Sequence, residues 1–588
     1  KTAFLIFPLI LLIAVFSAFS INYIFSKQTN SAPIENVSFQ RLTFSGDISF
    51  PVISPDGKSF AFVREGSIFV QDVETGSNFK LNVSNQKVFG NLQFSRNGEM
   101  IVFRNEDRND AGGDIFEVSR FGGEARRISE NAWSGGSFAP DGKQLAFIRF
   151  LPEQAEWSLF VKNLESAEER KLLSRTSPNT IYRSGFPSWS ADGKTILTVE
   201  QVQNQTNSSK LLLVNAESGE AKTLETPRLV QIEQTVWQPN EKDILLVGRE
   251  KNRFFQLWKL NSETNDLQRV TNDLTIYRNL TISADGKFLL ARQQTINSHI
   301  WTASVDDLEN LKQITFGNLN RDGNAGITWT ADGNIVYASR ITGNVDLWSV
   351  NPQDGTRRQL TENAGTNNEN PVGSADGKYI YFESNRSTTR HIWRIDTNGE
   401  NPKQMTFSEK ETEYSPVVSA DGEWLYFIQK SAKSNLICRK NLVNEQTEAF
   451  SHIENVAPDA ILSISPDGNF LAFHGIKEKP KENAENKQLS VNVISTQKEN
   501  PSVKYFGIAS TVSKIFWSSD SKALNYLENL PNGDAKIWQQ NLEGETAPKI
   551  LLNLPKNYLY RLALSLDGKN LAIAKGKNES DAILLKNF

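Results

Sequence analysis

Tyrosine and arginine recur side by side, or beside acidic residues, just before several predicted strands of this 588-residue chain. Both residue types are enriched at binding hot spots, and a guanidinium holds a carboxylate through charge-assisted hydrogen bonds. The sequence therefore predicts a surface that binds a protein or peptide ligand. The alternative is that these side chains pack between neighbouring units and satisfy one another. The candidates are Tyr182, Arg183, Tyr277, Arg278, Glu369, Glu413, Tyr414, Tyr560 and Arg561.

Residues for catalysis are not arranged in any familiar pattern. Peptidases with an α/β-hydrolase domain need a G-x-S-x-G elbow, and the nearest segment, GGSFA at 135–139, lacks the last glycine. The acidic segment 105–114 lacks the glutamate that closes a calcium loop. Four histidines lie in separate segments with no nucleophile beside them: His299, His391, His452 and His474. We therefore expect no enzymatic activity, no metal and no cofactor.

Composition narrows the class of protein further. The fractions of 38% hydrophobic and 22% charged residues are those of a globular protein. The net charge is −4 with dispersed charges, so this portion is not expected to contact nucleic acid. The single cysteine, Cys438, excludes a disulfide framework and is predicted to be a buried, inert thiol.

The elements that must position the candidates are marked by a repeated turn phrase. SPDGKSFAFV at 54–63 returns as APDGKQLAFI at 139–148 and SADGKYIYFE at 374–383. Repetition at intervals of 41 to 53 residues indicates a repeat architecture. The third place of the phrase is held by Asp56, Asn97, Asp141, Asp192, Asn240, Asp285, Asp332, Asp376, Asp421, Asp467, Asp520 and Asp567.

The phrase predicts a type I turn with a left-handed fourth residue, which is a common hairpin connection. A second polar turn and a strand such as RRQLT at 357–361 follow in most units, so each unit contains four antiparallel strands, the content of one propeller blade. Glu241 and Ser521 replace the glycine, and these two turns are expected to be looser or of another type. The predicted fold is all-β, without long helices after residue 39.

These units resemble the TolB-like β-propeller repeat, on the strength of the SPDG-type turn and the QDGTRRQLT strand at 353–361. The resemblance extends from residue 39 to 588. It implies a WD-like propeller fold and, because TolB itself is periplasmic and works with envelope proteins, a role in protein binding outside the cytoplasm.

Twelve blades around one axis would leave a wide hole, so we expect tandem six-bladed rings, 39–315 and 316–588. The last unit lacks its fourth strand, and FQRLTF at 39–44 is expected to supply a closing strand to one of the rings. The candidates then predict a basic and aromatic mouth on the first ring and a mouth of mixed charge on the second.

The N-terminal segment differs from the rest of the chain. Residues 3–25 carry no charge and are long enough to cross a bilayer, which favours a transmembrane anchor over a cleaved signal segment. Residues 26–38 are expected to be a linker. The sequence predicts a bacterial membrane protein with extracytoplasmic propellers. The alternative is that they form the sensory half of a CadC-like transcriptional regulator or of a kinase, and a propeller peptidase or lyase is the third reading.

Overall fold

The computed structural model describes residues 36–588 except 84–87, 106–111, 183–185, 203–207, 252, 319, 363, 388, 410, 432–433, 451–455, 458–459, 478–487, 498–503, 508–511, 531–532, 544–546 and 556. Within these residues the protein is all-β, with one short 3-10 helix at Pro152–Gln154. No helix among them is long and apolar enough to cross a membrane. The predicted anchor at 3–25 and most of the predicted linker lie outside the described residues.

The strands of the first half are β1 (Ser38–Arg41), β2 (Ser49–Ile53), β3 (Ser59–Arg64), β4 (Ser67–Asp72), β5 (Asn78–Lys80), β6 (Val88–Phe94), β7 (Met100–Asn105), β8 (Gly113–Ser119), β9 (Arg126–Ala132), β10 (Ser137–Phe138), β11 (Gln144–Leu151), β12 (Glu156–Asn163), β13 (Glu169–Thr176), β14 (Asn179–Ile181), β15 (Ser188–Trp189), β16 (Thr195–Val202), β17 (Ser208–Asn215), β18 (Ala221–Leu224), β19 (Leu229–Trp237), β20 (Asp243–Glu250), β21 (Gln256–Asn261), β22 (Leu267–Arg269), β23 (Ile276–Ile282), β24 (Leu289–Ser304) and β25 (Asp307–Gln313).

The strands of the second half are β26 (Ile327–Trp329), β27 (Ile335–Ser339), β28 (Asp346–Val350), β29 (Arg357–Gln359), β30 (Asn368–Gly373), β31 (Tyr379–Ser387), β32 (Thr389–Asp396), β33 (Lys403–Gln404), β34 (Thr412–Val418), β35 (Trp424–Lys430), β36 (Asn435–Asn441), β37 (Thr447–Ala449), β38 (Leu462–Ile464), β39 (Phe470–Lys477), β40 (Gln488–Ser495), β41 (Lys504–Gly507), β42 (Val512–Trp517), β43 (Ala523–Asn529), β44 (Ala535–Asn541), β45 (Lys549–Leu554), β46 (Tyr558–Leu564) and β47 (Asn570–Lys586).

The repeated phrase forms the turn between the first and second strands of each sheet. In the first turn the Ser54 hydroxyl donates to Asp56 at 2.6 Å, and the Gly57 amide donates to the Ser54 carbonyl at 2.9 Å. The prediction of looser turns at Glu241 and Ser521 is wrong. Both residues adopt the left-handed conformation (φ 59° and 61°), and their amides make the same bond, at 3.1 and 3.0 Å. The bond and the flanking strands hold a non-glycine residue in this conformation despite its steric cost.

The described strands form eleven antiparallel sheets. Ten are built from consecutive strands, five from β2 to β22 and five from β26 to β45. The eleventh, here called the shared sheet, joins β1, β23, β24, β25, β46 and β47. Its centre is a long ribbon in which β24 and β47 pair from Leu289–Leu585 to Ser304–Asn570.

Buried apolar clusters lie between successive sheets and follow two closed circuits. The first circuit runs through the five sheets β2–β22 and returns through the shared sheet. Residue pairs that mark its clusters are Ala61–Phe103, Val102–Phe147, Ile148–Ile196, Leu197–Leu246, Val247–Leu289 and Leu290–Phe60. The second circuit runs through β26–β45 and the shared sheet. Its marker pairs are Ile300–Tyr337, Val336–Phe382, Tyr381–Phe427, Ile428–Phe473, Ala472–Trp517 and Leu527–Ile573.

Each circuit contains one half of β24 and one half of β47. In the first circuit β23 pairs with the first half of β24, and β1 pairs with the end of β47. The expected closing strand is thus formed by Ser38–Arg41 on the edge of β47, in the first circuit. In the second circuit β46 pairs with the first half of β47, and β25 pairs with the end of β24.

Within the shared sheet, β23 is the first strand of the first circuit and β46 is the first strand of the second, and both begin near the middle of the ribbon. β23 begins where Ile276 pairs with Gln294, and β46 begins where Tyr558 pairs with Gly576. These positions flank the central pair Asn297–Lys577. The side of each circuit on which first strands begin, here the start side, therefore meets the start side of the other. The repeated turns lie on the opposite side, the turn side.

Candidate functional site

The charged candidates lie at irregularities in the first strands. The pairing register shifts between Arg278 and Thr281 of β23, and between Glu369 and Val372 of β30. It also shifts between Leu559 and Arg561 of β46. Such bulges bend a strand and re-aim its side chains. These charged side chains therefore do not follow the regular alternation between the two faces of the sheet.

Three of the four aromatic candidates are buried between sheets, and Tyr182 is half-buried. Tyr277 is fully buried, and its hydroxyl donates to Asp273 at 2.7 Å. Tyr414 and Tyr560 belong to apolar clusters of the second circuit, and Tyr182 packs against a cluster of the first. Their positions favour the alternative interpretation, in which they pack between neighbouring units. Arg183 lies outside the described residues.

Glu413 is engaged in a buried pair. His391 Nδ1 lies 2.7 Å from Glu413 Oε2, and both side chains are almost fully buried. The free thiol of Cys438 is also buried, and this burial, together with the charge of Glu413, raises its pKa to about 11. The prediction that Cys438 is buried is confirmed.

Charged side chains of the first circuit gather on its start side. Arg278 forms an ion pair with Glu233 of the neighbouring sheet. Burial lowers the pKa of Arg249, with Glu233 opposing and Arg278 adding to the shift. Burial also lowers the pKa of Arg292 to about 10, and the charge of Arg278 contributes. The Nε of Arg292 is buried without a hydrogen-bond partner among the described residues.

The second circuit carries a matching group. Glu383 accepts bonds from Asn370 Nδ2 at 2.7 Å, the Ser415 amide at 2.8 Å and Arg390 Nη1 at 3.2 Å. Burial raises the pKa of Glu369, against the charge of Arg390. Glu383 is therefore a fixed acceptor, whereas among the described residues the charges of Arg390, Arg340 and Arg561 stabilise ionised Glu369.

Arg561 and Lys514 complete this group. Burial lowers the pKa of Arg561, while Glu369 and Glu383 act in the opposite direction. Burial lowers the pKa of Lys514 to about 7, Arg561 lowers it further and Glu383 opposes. The Nε of Arg561 is buried without a hydrogen-bond partner among the described residues. The same guanidinium donates through Nη1 to the Tyr560 carbonyl at 2.9 Å.

Arg340 links the two groups. Its guanidinium lies 4.7 Å from the centroid of the Phe254 ring of the first circuit, and Arg321 lies 4.0 Å from the same ring. Its charge acts on Glu369 in its own circuit and interacts with Arg249 of the other circuit. The start sides therefore share one electrostatic neighbourhood.

We call this neighbourhood the start-side cluster, with seven basic and three acidic side chains. Its members are Arg249, Arg278, Arg292, Arg340, Arg390, Lys514, Arg561, Glu233, Glu369 and Glu383. The cluster has an excess of positive charge, whereas the whole chain has a net charge of −4. Clustered, desolvated cations are suited to hold carboxylates.

Sequence reasoning found three members of the cluster and missed the others. The distance in sequence from the turn phrase could have identified more of them. Glu233, Arg278 and Glu369 each precede the third residue of the turn phrase by seven positions (240, 285 and 376). Lys514 and Arg561 precede it by six (520 and 567). The basic residues of the second strands carry no comparable signal.

Among the described residues no group of histidine, cysteine, aspartate and glutamate could hold a metal ion.

Comparisons with known proteins address the fold. The TolB beta propeller domain matches residues 323–501. A comparison with curated proteins finds no match. Among solved structures, the tricorn protease is 14% identical, with a TM-score of 0.33 over 90% of this chain, and this chain spans 60% of its length.

Two TolB structures are also similar. TolB from Acinetobacter baumannii is 13% identical, with a TM-score of 0.28 over 60% of this chain and 76% of its own. A putative TolB from Agrobacterium tumefaciens is 16% identical, with a TM-score of 0.22 over 50% of this chain and 88% of its own. At these scores the similarities carry no argument about activity. The sheets and the matched domain make this chain a protein with a TolB-like β-propeller region.

Proposed function

We propose that the chain is a non-enzymatic binding module of two interlocked six-bladed propellers, 39–315 and 316–588, which exchange halves of β24 and β47. The two circuits of apolar clusters support this architecture. The TolB-like region and the absence of a G-x-S-x-G elbow from the sequence support a binding role rather than a catalytic one.

We propose that the partner is a protein or peptide with an acidic segment, which docks at the start-side cluster. The observation that carries this proposal is the connected set of seven basic side chains contributed by both circuits. A charge pair that excludes water is stronger than one at the surface, so a few carboxylates suffice for recognition.

The test is binding of a fluorescent octaglutamate peptide to the intact chain, followed by anisotropy. Octaglutamine and octalysine are the comparison peptides. We expect octaglutamate alone to bind, and its affinity to fall as sodium chloride is raised. Equal binding of octaglutamine would contradict the proposal.

Variants assign the binding to the cluster. Arg278→Gln combined with Arg561→Gln should weaken octaglutamate binding at least tenfold. Arg126→Gln is the matched control, because Arg126 is exposed and pairs with Glu117 at the outer edge of its sheet. If the double variant binds normally and only its melting temperature falls, the cluster is structural.

We also propose that residues 3–25 anchor the chain in a membrane, with the propellers in the periplasm. The uncharged run of membrane-spanning length supports this location. Alkaline carbonate extraction should leave the intact chain in the membrane pellet, whereas release would indicate a cleaved signal segment. If the propellers are instead the sensory half of a regulator or kinase, they would have the same location. The two proposals differ only in whether ligand binding controls a cytoplasmic domain.

A further inference from the structure

Lys514 of the start-side cluster carries an amine that the protein does not pair. The residue lies on β42, at the irregularity where the pairing with β43 shifts between Val512 and Lys514. Its side chain makes no hydrogen bond or ion pair with any described residue, and its Nζ is not among the buried atoms without a partner. The residue as a whole is half-buried, so part of it remains in contact with solvent.

Arg561 is the neighbour of Lys514 in the second circuit. Both residues lie six positions before the third residue of their turn phrase, on the first strands of adjacent sheets, β42 and β46. Each also lies at a register shift of its strand. Equivalent positions on adjacent first strands lie side by side in the circuit, and the charge of Arg561 accordingly acts on Lys514. An amine and a guanidinium therefore face the same space.

The Arg561 guanidinium has one nitrogen available to a ligand. Its Nη1 donates to the Tyr560 carbonyl at 2.9 Å, and its Nε is buried. Its Nη2 has no hydrogen-bond partner among the described residues but, unlike Nε, is not enclosed. A guanidinium N–H donates strongly to a carboxylate oxygen. This nitrogen can therefore hold the carboxylate of a small ligand beside Lys514.

The surroundings of Lys514 favour its uncharged form. Burial lowers its pKa to about 7, Arg561 lowers the pKa further, and Glu383 opposes the shift. His474 of the sheet on the other side is buried, and this burial lowers its own pKa to about 4, so it adds no charge at neutral pH. A large fraction of the Lys514 amine is thus uncharged at neutral pH, and an uncharged lysine amine is a nucleophile.

Acidic side chains nearby do not exclude an anionic ligand. Glu383 already accepts an ion pair from Arg390 and two further hydrogen bonds, and Glu369 is stabilised by the same arginine. With Lys514 uncharged, the second circuit still contributes Arg340, Arg390 and Arg561 against these two carboxylates. The remaining charge favours one further carboxylate.

We propose that Lys514 forms a Schiff base with a small 2-oxo acid whose carboxylate is held by Arg561. The amine nitrogen bonds to the carbonyl carbon, and the resulting carbinolamine loses its hydroxyl. Both amine protons leave with the carbonyl oxygen as one water molecule, so the step needs neither an oxidant nor a reductant. A 2-oxo acid fits because its carboxylate adjoins its carbonyl carbon, as the guanidinium adjoins the amine. The reaction uses a member of the start-side cluster but does not require the proposed acidic partner.

The test is reductive trapping with pyruvate. The intact chain is incubated with pyruvate and sodium cyanoborohydride at neutral pH, which converts the imine to a stable secondary amine, and tandem mass spectrometry locates the adduct. The exposed Lys522 is the internal control. We expect Lys514 to be modified at least tenfold faster than Lys522, and Lys514→Met to keep only the slower reaction. Modification of Lys514 no faster than Lys522 overturns the proposal.

A second comparison tests the contact with Arg561. Methyl pyruvate keeps the carbonyl but lacks the charged carboxylate, so the preference for Lys514 over Lys522 should be at least fivefold smaller than with pyruvate. Arg561→Gln should remove this difference between the two compounds, whereas Arg126→Gln, at an exposed ion pair, should retain it. An equal preference for both compounds in the unaltered chain overturns the role of Arg561, even if Arg561→Gln fails to fold.

Trapping and octaglutamate binding can fail independently. Trapping at Lys514 in a chain that does not bind octaglutamate would support the Schiff base and contradict only the acidic partner. Octaglutamate binding without preferential trapping at Lys514 would support the partner and overturn the Schiff base.

Discussion

The hydroxyl of Thr43 donates to Asp581 Oδ1 at 2.7 Å, joining the first described strand segment to the last. Asp581 is almost fully buried, also pairs with Arg41, and accepts from the Gly46 amide at 3.2 Å. The Ala582 amide in turn donates to the Thr43 hydroxyl at 3.0 Å. This latch holds β1 on the edge of β47.

Removal of the latch should destabilise the protein. Asp581→Ala leaves buried donors without an acceptor, so we expect the free energy of unfolding to fall by about 2 to 3 kcal/mol. Denaturant unfolding measures the change. Asp306→Ala, at an exposed turn, is the control and should have little effect. If both variants unfold alike, the latch does not stabilise the fold.

Two turn glycines should differ in their tolerance of alanine. Gly57 and Gly142 have nearly the same left-handed φ, 71° and 72°. A Cβ on Gly57 would lie 2.5 Å from the Phe288 ring, whereas one on Gly142 would meet nothing within 4 Å. We expect Gly142→Ala to cost about 1 kcal/mol from backbone strain, and Gly57→Ala about 1 to 3 kcal/mol more from the clash. Thermal unfolding of the two variants checks the order.

Lys514 should make stability depend on pH. Its folded pKa of about 7 lies below the ordinary lysine value of 10.5, so the unfolded chain binds the extra proton between these values. The cost of burying this ammonium is full below pH 7 and disappears as pH rises towards 10.5. His474, whose burial lowers its pKa to about 4, also feels this charge, as do Arg561 and Glu383.

Lys514→Met should therefore raise the melting temperature at pH 6 and raise it less at pH 10. The exposed Lys522 provides the control, because Lys522→Met should show no such trend. A gain at pH 10 as large as that at pH 6 would show that the ammonium carries no burial cost.

Cys438 should report global unfolding. Its thiol is buried and its pKa is raised to about 11, so little thiolate exists at pH 8 and a thiol reagent has no access. We expect a colourimetric disulfide reagent to react only along the denaturant unfolding curve. Rapid reaction of the native protein would show that β36 opens locally.

The all-β fold could be predicted from the sequence because turns and strands are local. The Ser, Asp and Gly of each phrase set their own turn geometry, and alternating apolar residues set the strands that follow. The closing role of residues 39–44 also followed from counting strands. The charged candidates Arg278, Glu369 and Arg561 were found because each lies just before a predicted innermost strand.

Only the tertiary structure decided which circuit receives β1, how β24 and β47 divide between the circuits, and that the two start sides meet. Antiparallel pairing uses backbone groups that are alike in every strand, so the sequence does not name the partner strand. Bulges then decided which side chains of the first strands face the start side, because one extra residue reverses the alternation. Tyr277 and Tyr560 are therefore buried. Lys514, which sequence reasoning did not identify as a candidate, belongs to the start-side cluster.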